Sequence, residues 1–260
     1  MVNKTFDISC DMGEAFGQWQ LGTTSDKDLM KLISSANIAA GFHAGDPNHM
    51  DVSVRLAIES GVCIGVHPGY RDLQGFGRRK IAGTEQENIN DIVYQIGALR
   101  EFARRYDAKL QHVKPHGALY MELAANEAMS NSFVQLMRSI NPDLFIYCMG
   151  ASATYRAAMA LGQPVIREFY ADREYDKSGV IVFTRRADNY KPSDAAERVV
   201  RACLEGKVRT VDGYDIEIGF ESICVHSDTP GSIELLEAIR AALSANGIRI
   251  APPSKTAVHT

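Results

Sequence analysis

The chain has 260 residues, 45% of them hydrophobic and 23% charged, a balance that excludes a disordered or fibrous protein and leaves enough apolar mass for a real core. Lys plus Arg number 28 against 32 Asp plus Glu, and the resulting −4 gives no bulk electrostatic support for nucleic-acid binding. Five scattered cysteines without a CxxC pair suit a reducing cytoplasm, and no run of about 18 apolar residues predicts a membrane span or, near the first residues, a signal peptide.

Short apolar runs with strand character fall at residues 5–10, 36–42, 62–66, 109–114, 144–149, 164–169 and 222–225. Helices are expected between them. Asp46-Pro47 sets an N-cap residue before a proline suited to the first helical position, and Gly61 marks the stop. Thr84 and Glu87 have the capping-box spacing, and Ile89, Ile92, Val93, Ile96, Leu99, Phe102 and Ala103 continue as a helical stripe. Residues 208–218, with Asp212-Gly213 at the centre, read as a β-hairpin inserted before the last strand. Thr229-Pro230 repeats the capping logic ahead of Ile233, Leu236, Ile239 and Leu243. Seven strands alternating with about seven helices predict an α/β fold with a parallel sheet, and no linker divides residues 1–260, so a single domain is expected.

The alternation within the strands favours a closed barrel over an open doubly wound sheet. Residues two apart share a face. One face carries Asp7, Ser9 and Asp11; Asn37, Ala39, Gly41 and His43; Cys63, Gly65 and His67; His112, Lys114 and His116; and Cys224, His226 and Asp228. The other carries Phe6, Ile8, Ile38, Ile64, Val66, Val113, Ile223 and Val225. An open sheet covered on both sides would be apolar on both faces, whereas a (β/α)7 barrel puts large residues against helices and small or ionisable ones inside.

The polar residues gather at the strand C-termini, where barrel enzymes keep their active sites. His43, His67, His116 and His226 each end a strand, with Asp11, Lys114 and Asp228 beside them. One such histidine is ordinarily a ring satisfied by backbone; four at equivalent places are a candidate catalytic ring. Asp11, His43 and His67, from successive strands, form the natural metal trio; the alternative is that they bond one another and a substrate with no metal. A lysine aimed into a barrel beside His112 and His116 is expected to have a lowered pKa and to meet an oxyanion, carboxylate or phosphate. For Lys114 the alternative is an ion pair with Asp11, Asp228 or Glu168. The stretch Gly75-Phe76-Gly77-Arg78-Arg79-Lys80 can close over an anion or lie solvated at the surface, and Glu168, Asp172 and Arg173 are either rim ion pairs or substrate contacts. No Walker A motif and no GxSxG elbow is present.

Six blocks in order, CDMGE at 10–14, SANIAAGFHAGDP at 35–47, HPGYRDLQGFGRR at 67–79, VKPHGALY at 113–120, EFYADREY at 168–175 and ICVHSDTP at 223–230, resemble the LamB/YcsF family. The resemblance implies a (β/α)7 barrel akin to glycoside hydrolase and polysaccharide deacetylase barrels. It further implies the role of the A subunit of an ATP-dependent 5-oxoprolinase, which with subunits B and C opens 5-oxo-L-proline to L-glutamate while ATP becomes ADP and phosphate. A divalent metal, either Mg with the ATP or a protein-bound transition metal, goes with that chemistry. The lactam is a stable amide, so phosphorylating its oxygen would make the ring carbon electrophilic, and the site then needs cations, acid/base groups and shelter from water. Arg78, Arg79 and Arg173, with Glu14 and Glu168 nearby, are the expected substrate or phosphate contacts; Asp11, His43, His67, Lys114, His116, His226 and Asp228 are the expected catalytic set. Ser9, Ala15, Ala40, Arg71 and Ser227 depart from the family pattern of asparagine, glycine, cysteine, proline and glycine. Two other functions remain open: a metal-dependent amide or N-acetyl hydrolase of the deacetylase type, and a non-catalytic subunit that only delivers substrate.

Overall fold

The computed structural model describes residues 4–20, 24–184 and 190–254. Its centre is a ring of parallel strands: β1 (Thr5–Met12), β2 (Ser35–Ala39), β3 (Cys63–His67), β4 (Leu110–Val113), β5 (Phe145–Cys148), β6 (Val165–Tyr170) and β7 (Ser222–Val225). Each pairs with the next, and β7 returns to β1 in a register running from Asp7 opposite Ser222 to Cys10 opposite Val225, which closes the barrel. A short segment, Arg249–Ile250, joins the foot of β1 beside Thr5 and Phe6.

The helices are α1 (Asp26–Met30), α2 (Pro47–Ser60), α3 (Glu85–Arg104), α4 (Gly117–Ala125), α5 (Glu127–Ile140), α6 (Ala153–Leu161), α7 (Pro192–Glu205) and α8 (Ser232–Ala245). Two begin as their sequences predict. The Asp46 carboxylate accepts from the backbone N–H of Asn48 and His49, and the Thr84 box is closed from both sides. Along α3 the buried apolar positions are Ile92, Ile96, Leu99 and Ala103, one stripe of the helix, while Val93 turns out to solvent. Each large apolar side chain so buried contributes about 1.5–3 kcal/mol relative to exposure. The start of α8 differs from expectation: Gly231, at φ +74°, precedes Ser232, and the Thr229 hydroxyl bonds Asp172 rather than capping the helix. Tertiary demand for that hydroxyl at the barrel mouth outweighs the local capping preference.

The hairpin before β7 is present, with Lys207–Arg209 antiparallel to Asp215–Glu217. A second, smaller one that the apolar pattern did not announce, Ala15–Phe16 against Trp19–Gln20, leaves the top of β1. Among the described residues no helix is long and apolar enough to cross a membrane.

The two faces of the strands separate as their alternation predicts. Ile8, Ile38, Ile64, Val66, Val113, Ile223 and Val225 join the outer apolar core under the helices. Inside, the floor is polar: the Asp7 carboxylate accepts from the hydroxyls of Ser34, Ser35, Tyr147 and Ser222 at 2.6, 2.9, 3.0 and 2.7 Å. Above it His112 fills the space over β3. A Cβ on Gly65 would stand 2.0 Å from His112 Nε2, so only glycine fits there.

Candidate active site

The upper half of the barrel is built on a hydrogen-bonded line from wall to wall. His112 Nε2 lies 2.7 Å from Asn37 Oδ1, and the Asn37 amide donates to Asp11 Oδ1 at 2.8 Å. The same Asp11 oxygen receives Lys114 Nζ at 2.6 Å, while its other oxygen faces His67 Nε2 at 3.2 Å. All are buried. Burial alone would disfavour the Asp11 anion, but His67 and the Lys114 cation hold its carboxyl well below the usual carboxylate range.

Lys114 takes the ion-pair alternative, with Asp11 and Glu168 as partners, and its pKa moves opposite to the lowering expected. Its burial disfavours the cation, yet Asp11, Cys224 and Glu168 raise its pKa well above the ordinary lysine value. Nζ sits 3.1 Å from Cys224 Sγ and 3.8 Å from Glu168 Oε1. The cause is plain: the neighbours His112 and His116 are not cations, because burial lowers both, His112 to about 3. Lys114 is therefore held as a cation at the cavity wall by its acidic neighbours. Burial also pushes Glu168 up to about 7, although Tyr120 and Tyr170 both donate to its Oε2 at 3.1 Å.

Four ligand-type atoms, one each from Glu14, His43, His67 and His116, all lie within 4.8 Å of one another. His43 and His116 stack at 3.8 Å between centroids, with the His67 ring perpendicular to both. Glu14 Oε1 stands 3.3 Å from His43 Nε2 and 3.5 Å from His116 Nδ1, and Ser227 donates to Glu14 Oε2 at 3.0 Å. The outer nitrogens are committed: His67 Nδ1 lies 2.6 Å from the Lys114 carbonyl and His116 Nε2 2.8 Å from the Phe76 carbonyl. Carbonyls only accept, so both outer nitrogens carry hydrogen. Burial depresses the pKa of both rings, and in the neutral rings the inner nitrogens, 2.9 Å apart, turn lone pairs toward each other. Only a cation, proton or metal, reconciles that pair. Burial, together with the negative charges of Asp11 and Asp228, raises Glu14 well above the normal carboxyl value, and a nearby cation would reverse that.

The metal-capable set thus shares His43 and His67 with the sequence trio but takes Glu14 and His116 where Asp11 was expected. Asp11 is instead engaged by Lys114 and Asn37.

The loop after β3 supplies the lid. Phe76 adopts φ +53° and Gly77 φ +62°, and a Cβ at Gly77 would lie 2.6 Å from His43 Cβ and 2.7 Å from His116 Cδ2. The loop is therefore packed onto the histidines. It aims Arg78 inward to pair with Asp228 at 2.8 Å, and turns Arg79 away, onto Asp72 and half exposed. Of the expected contacts, Arg78 and Arg173 line the cavity; Arg79 is turned away from it, and Glu14 and Glu168 stand behind its walls, on the histidine cluster and on Lys114. Asp228 bridges to the lid from the β7 side, with its second oxygen buried.

The walls of the cavity beneath include Asp11, His67, Arg78, Lys114, Arg173 and His226. Arg173 also pairs with Asp172 at 3.1 Å. Asp172, completely buried, accepts from His226 Nδ1 at 3.0 Å and from the His226 backbone N–H at 3.1 Å. Residue type and spacing assigned no distinct role to Asp172, nor to Tyr120 and Tyr170. The alternation of β6, which turns Glu168 and Tyr170 inward together, was the available signal for the second tyrosine.

A family model described as the LamB/YcsF family matches residues 6–258. A 5-oxoprolinase A subunit of Pseudomonas aeruginosa is 58% identical over 247 residues, 95% of this chain and 98% of that one. Among solved structures, the lactam utilization protein of Thermus thermophilus superposes with a TM-score of 0.87 at 34% identity, covering 95% of this chain and 99% of its own. The catalytic domain of a peptidoglycan N-acetylglucosamine deacetylase from Eubacterium rectale aligns at TM-score 0.53 and 10% identity over 98% of this chain and 90% of that one, a likeness of fold alone.

Proposed function

The chain belongs to the LamB/YcsF family, and from that premise we propose that it is the ring-opening A subunit of an ATP-dependent 5-oxoprolinase. In this reading it cleaves 5-oxo-L-proline to L-glutamate, coupled to hydrolysis of ATP to ADP and phosphate, together with subunits B and C, and residues 1–260 act as one barrel domain. The names of its relatives point to the substrate class, and the observation that carries the reading is the site itself. A sheltered cavity holds Lys114, Arg78 and Arg173 beside a buried Glu/His cluster, so groups for an anionic lactam stand next to groups for hydrolysis. Five free cysteines fit a cytoplasmic setting.

Glu14, His43, His67 and His116 have the donor types for a divalent transition metal, and the facing lone pairs of His67 and His116 give such an ion a purpose. A bound ion would polarise the lactam carbonyl and acidify a water. The protein's own groups do the rest. Lys114 stays charged and anchors Asp11; Arg78 and Arg173 receive the substrate carboxylate or the phosphate of an activated lactam; Tyr120 and Tyr170 hold Glu168 Oε2 while its Oε1 faces the Lys114 cation. The packed lid excludes water from the ring carbon.

The test is glutamate release from 5-oxoproline by the purified chain with subunits B and C, with and without ATP, before and after chelation. The reading requires turnover only with ATP and partners, and loss on chelation restored by metal. Turnover by the isolated chain with metal alone would replace it with the deacetylase-like amide hydrolase, which the Glu/His cluster also suits.

A further inference from the structure

The four histidines at the mouth are not equivalent. His67 and His116 have their outer nitrogens tied to backbone carbonyls, and His43 Nε2 faces Glu14. In His226 the buried Asp172 carboxylate lies behind Nδ1, and Nε2 is the nitrogen left for the cavity that the ring helps to wall. Asp172 Oδ1 and Oδ2 lie 3.0 and 3.1 Å from its Nδ1, and Oδ2 also accepts from the His226 backbone N–H at 3.1 Å and from the Thr229 hydroxyl. Arg173 pairs with the same oxygen at 3.1 Å. Four donors from three residues leave this carboxylate one orientation. The Tyr170 ring stacks on the imidazole at 5.6 Å, which fixes its plane. A carboxylate only accepts, so Nδ1 carries the hydrogen and the neutral ring presents the Nε2 lone pair. Among the described residues Nε2 makes no hydrogen bond; Asp11 Oδ2, 3.8 Å away, is the acidic oxygen that faces it.

We infer that Asp172 is the positioning residue that makes His226 Nε2 the proton carrier of ring opening, an assignment that rests on the lactam-opening reading above. As the water oxygen bonds to the lactam carbonyl carbon, its proton passes to Nε2, and the imidazolium so formed lies between Asp172 and Asp11. When the ring C–N bond breaks, that proton passes to the departing nitrogen. Nε2 regains its lone pair, the carbon keeps the water's OH, and the nitrogen leaves as a primary amine. Water and His226 close the proton balance of this step, and ATP enters only in activating the lactam, as in the reading above.

Asp172→Asn keeps the shape of the side chain but offers Nδ1 an amide that can donate. In the complex with subunits B and C it should lower kcat roughly 10²- to 10⁴-fold, with KM little changed. In the full chain labelled with 15N-histidine, His226 should be the Nδ1–H tautomer in the wild type and lose that preference in Asp172→Asn. Should Asp172→Asn not fold, His226→Ala carries the test, because free imidazole should restore a measurable part of its lost kcat. An Asp172→Asn enzyme with wild-type kcat, an unchanged tautomer, or a His226→Ala variant that is fully active or deaf to imidazole would overturn the assignment. A wild-type complex that opens no lactam would instead sink the functional reading, while the tautomer measurement still reports whether Asp172 sets the ring.

Discussion

Replacing Lys114 by methionine tests the electrostatic account of the barrel most directly. At 2.6 Å, Nζ and Asp11 Oδ1 attract by roughly 6 kcal/mol at an effective dielectric constant of about 20, but withdrawing both ions from water costs several kcal/mol each. The pair as a whole therefore contributes little to stability, while breaking it leaves the Asp11 anion buried with only Asn37 and His67 in contact. Lys114→Met should destabilise the chelator-treated protein by about 3–5 kcal/mol at pH 8, read by urea unfolding followed by circular dichroism. The sign of its pH dependence follows from linkage. In the wild type the depressed Asp11 pKa contributes stability that is present above the unfolded value and lost as pH falls; in the variant that pKa rises, and its penalty fades as pH falls through it. The destabilisation should shrink toward pH 5, and Asp11→Asn added to Lys114→Met should recover much of it. A Lys114→Met protein within about 1 kcal/mol of wild type at pH 8, or a loss that grows toward acid, would refute the buried-pair account.

Two further substitutions address other parts of the barrel. Glu168, pushed by burial up to about 7 from 4.5, favours the folded state fully below the unfolded value and loses that advantage as pH rises through about 7, a change of about 3 kcal/mol; Glu168→Gln should flatten the unfolding free energy between pH 5 and 8, and parallel profiles would contradict the shift. Gly65→Ala drives a methyl to 2.0 Å from His112 Nε2, so His112 must move and release Asn37; a loss of at least about 1–3 kcal/mol is expected in thermal melts, and an unchanged Tm would show that the interior is looser than described.

What the sequence settled by itself is what depends on local alternation. Large apolar residues on one face of each strand and small or ionisable ones on the other require a closed barrel, and the Gly and Pro residues near the strand ends locate its mouth. That is why Asp11, His43, His67, Lys114, His116 and His226 could be gathered from residue type and spacing. The assignments that only the tertiary structure made depend on which atoms meet across the barrel. Glu14, two residues past the end of β1, meets His43 and His116 only because the closed barrel brings three strand ends together. Lys114 keeps its charge because Asp11 and Glu168, 103 and 54 residues away, converge on it. Arg78 and Arg79 are neighbours in sequence, yet the left-handed turn at Phe76 and Gly77 sends one to Asp228 and the other to Asp72. Burial, hydrogen bonding and ion pairing act over a few ångströms between segments far apart in the chain, so residue types and spacing nominate the participants and only the fold assigns their partners.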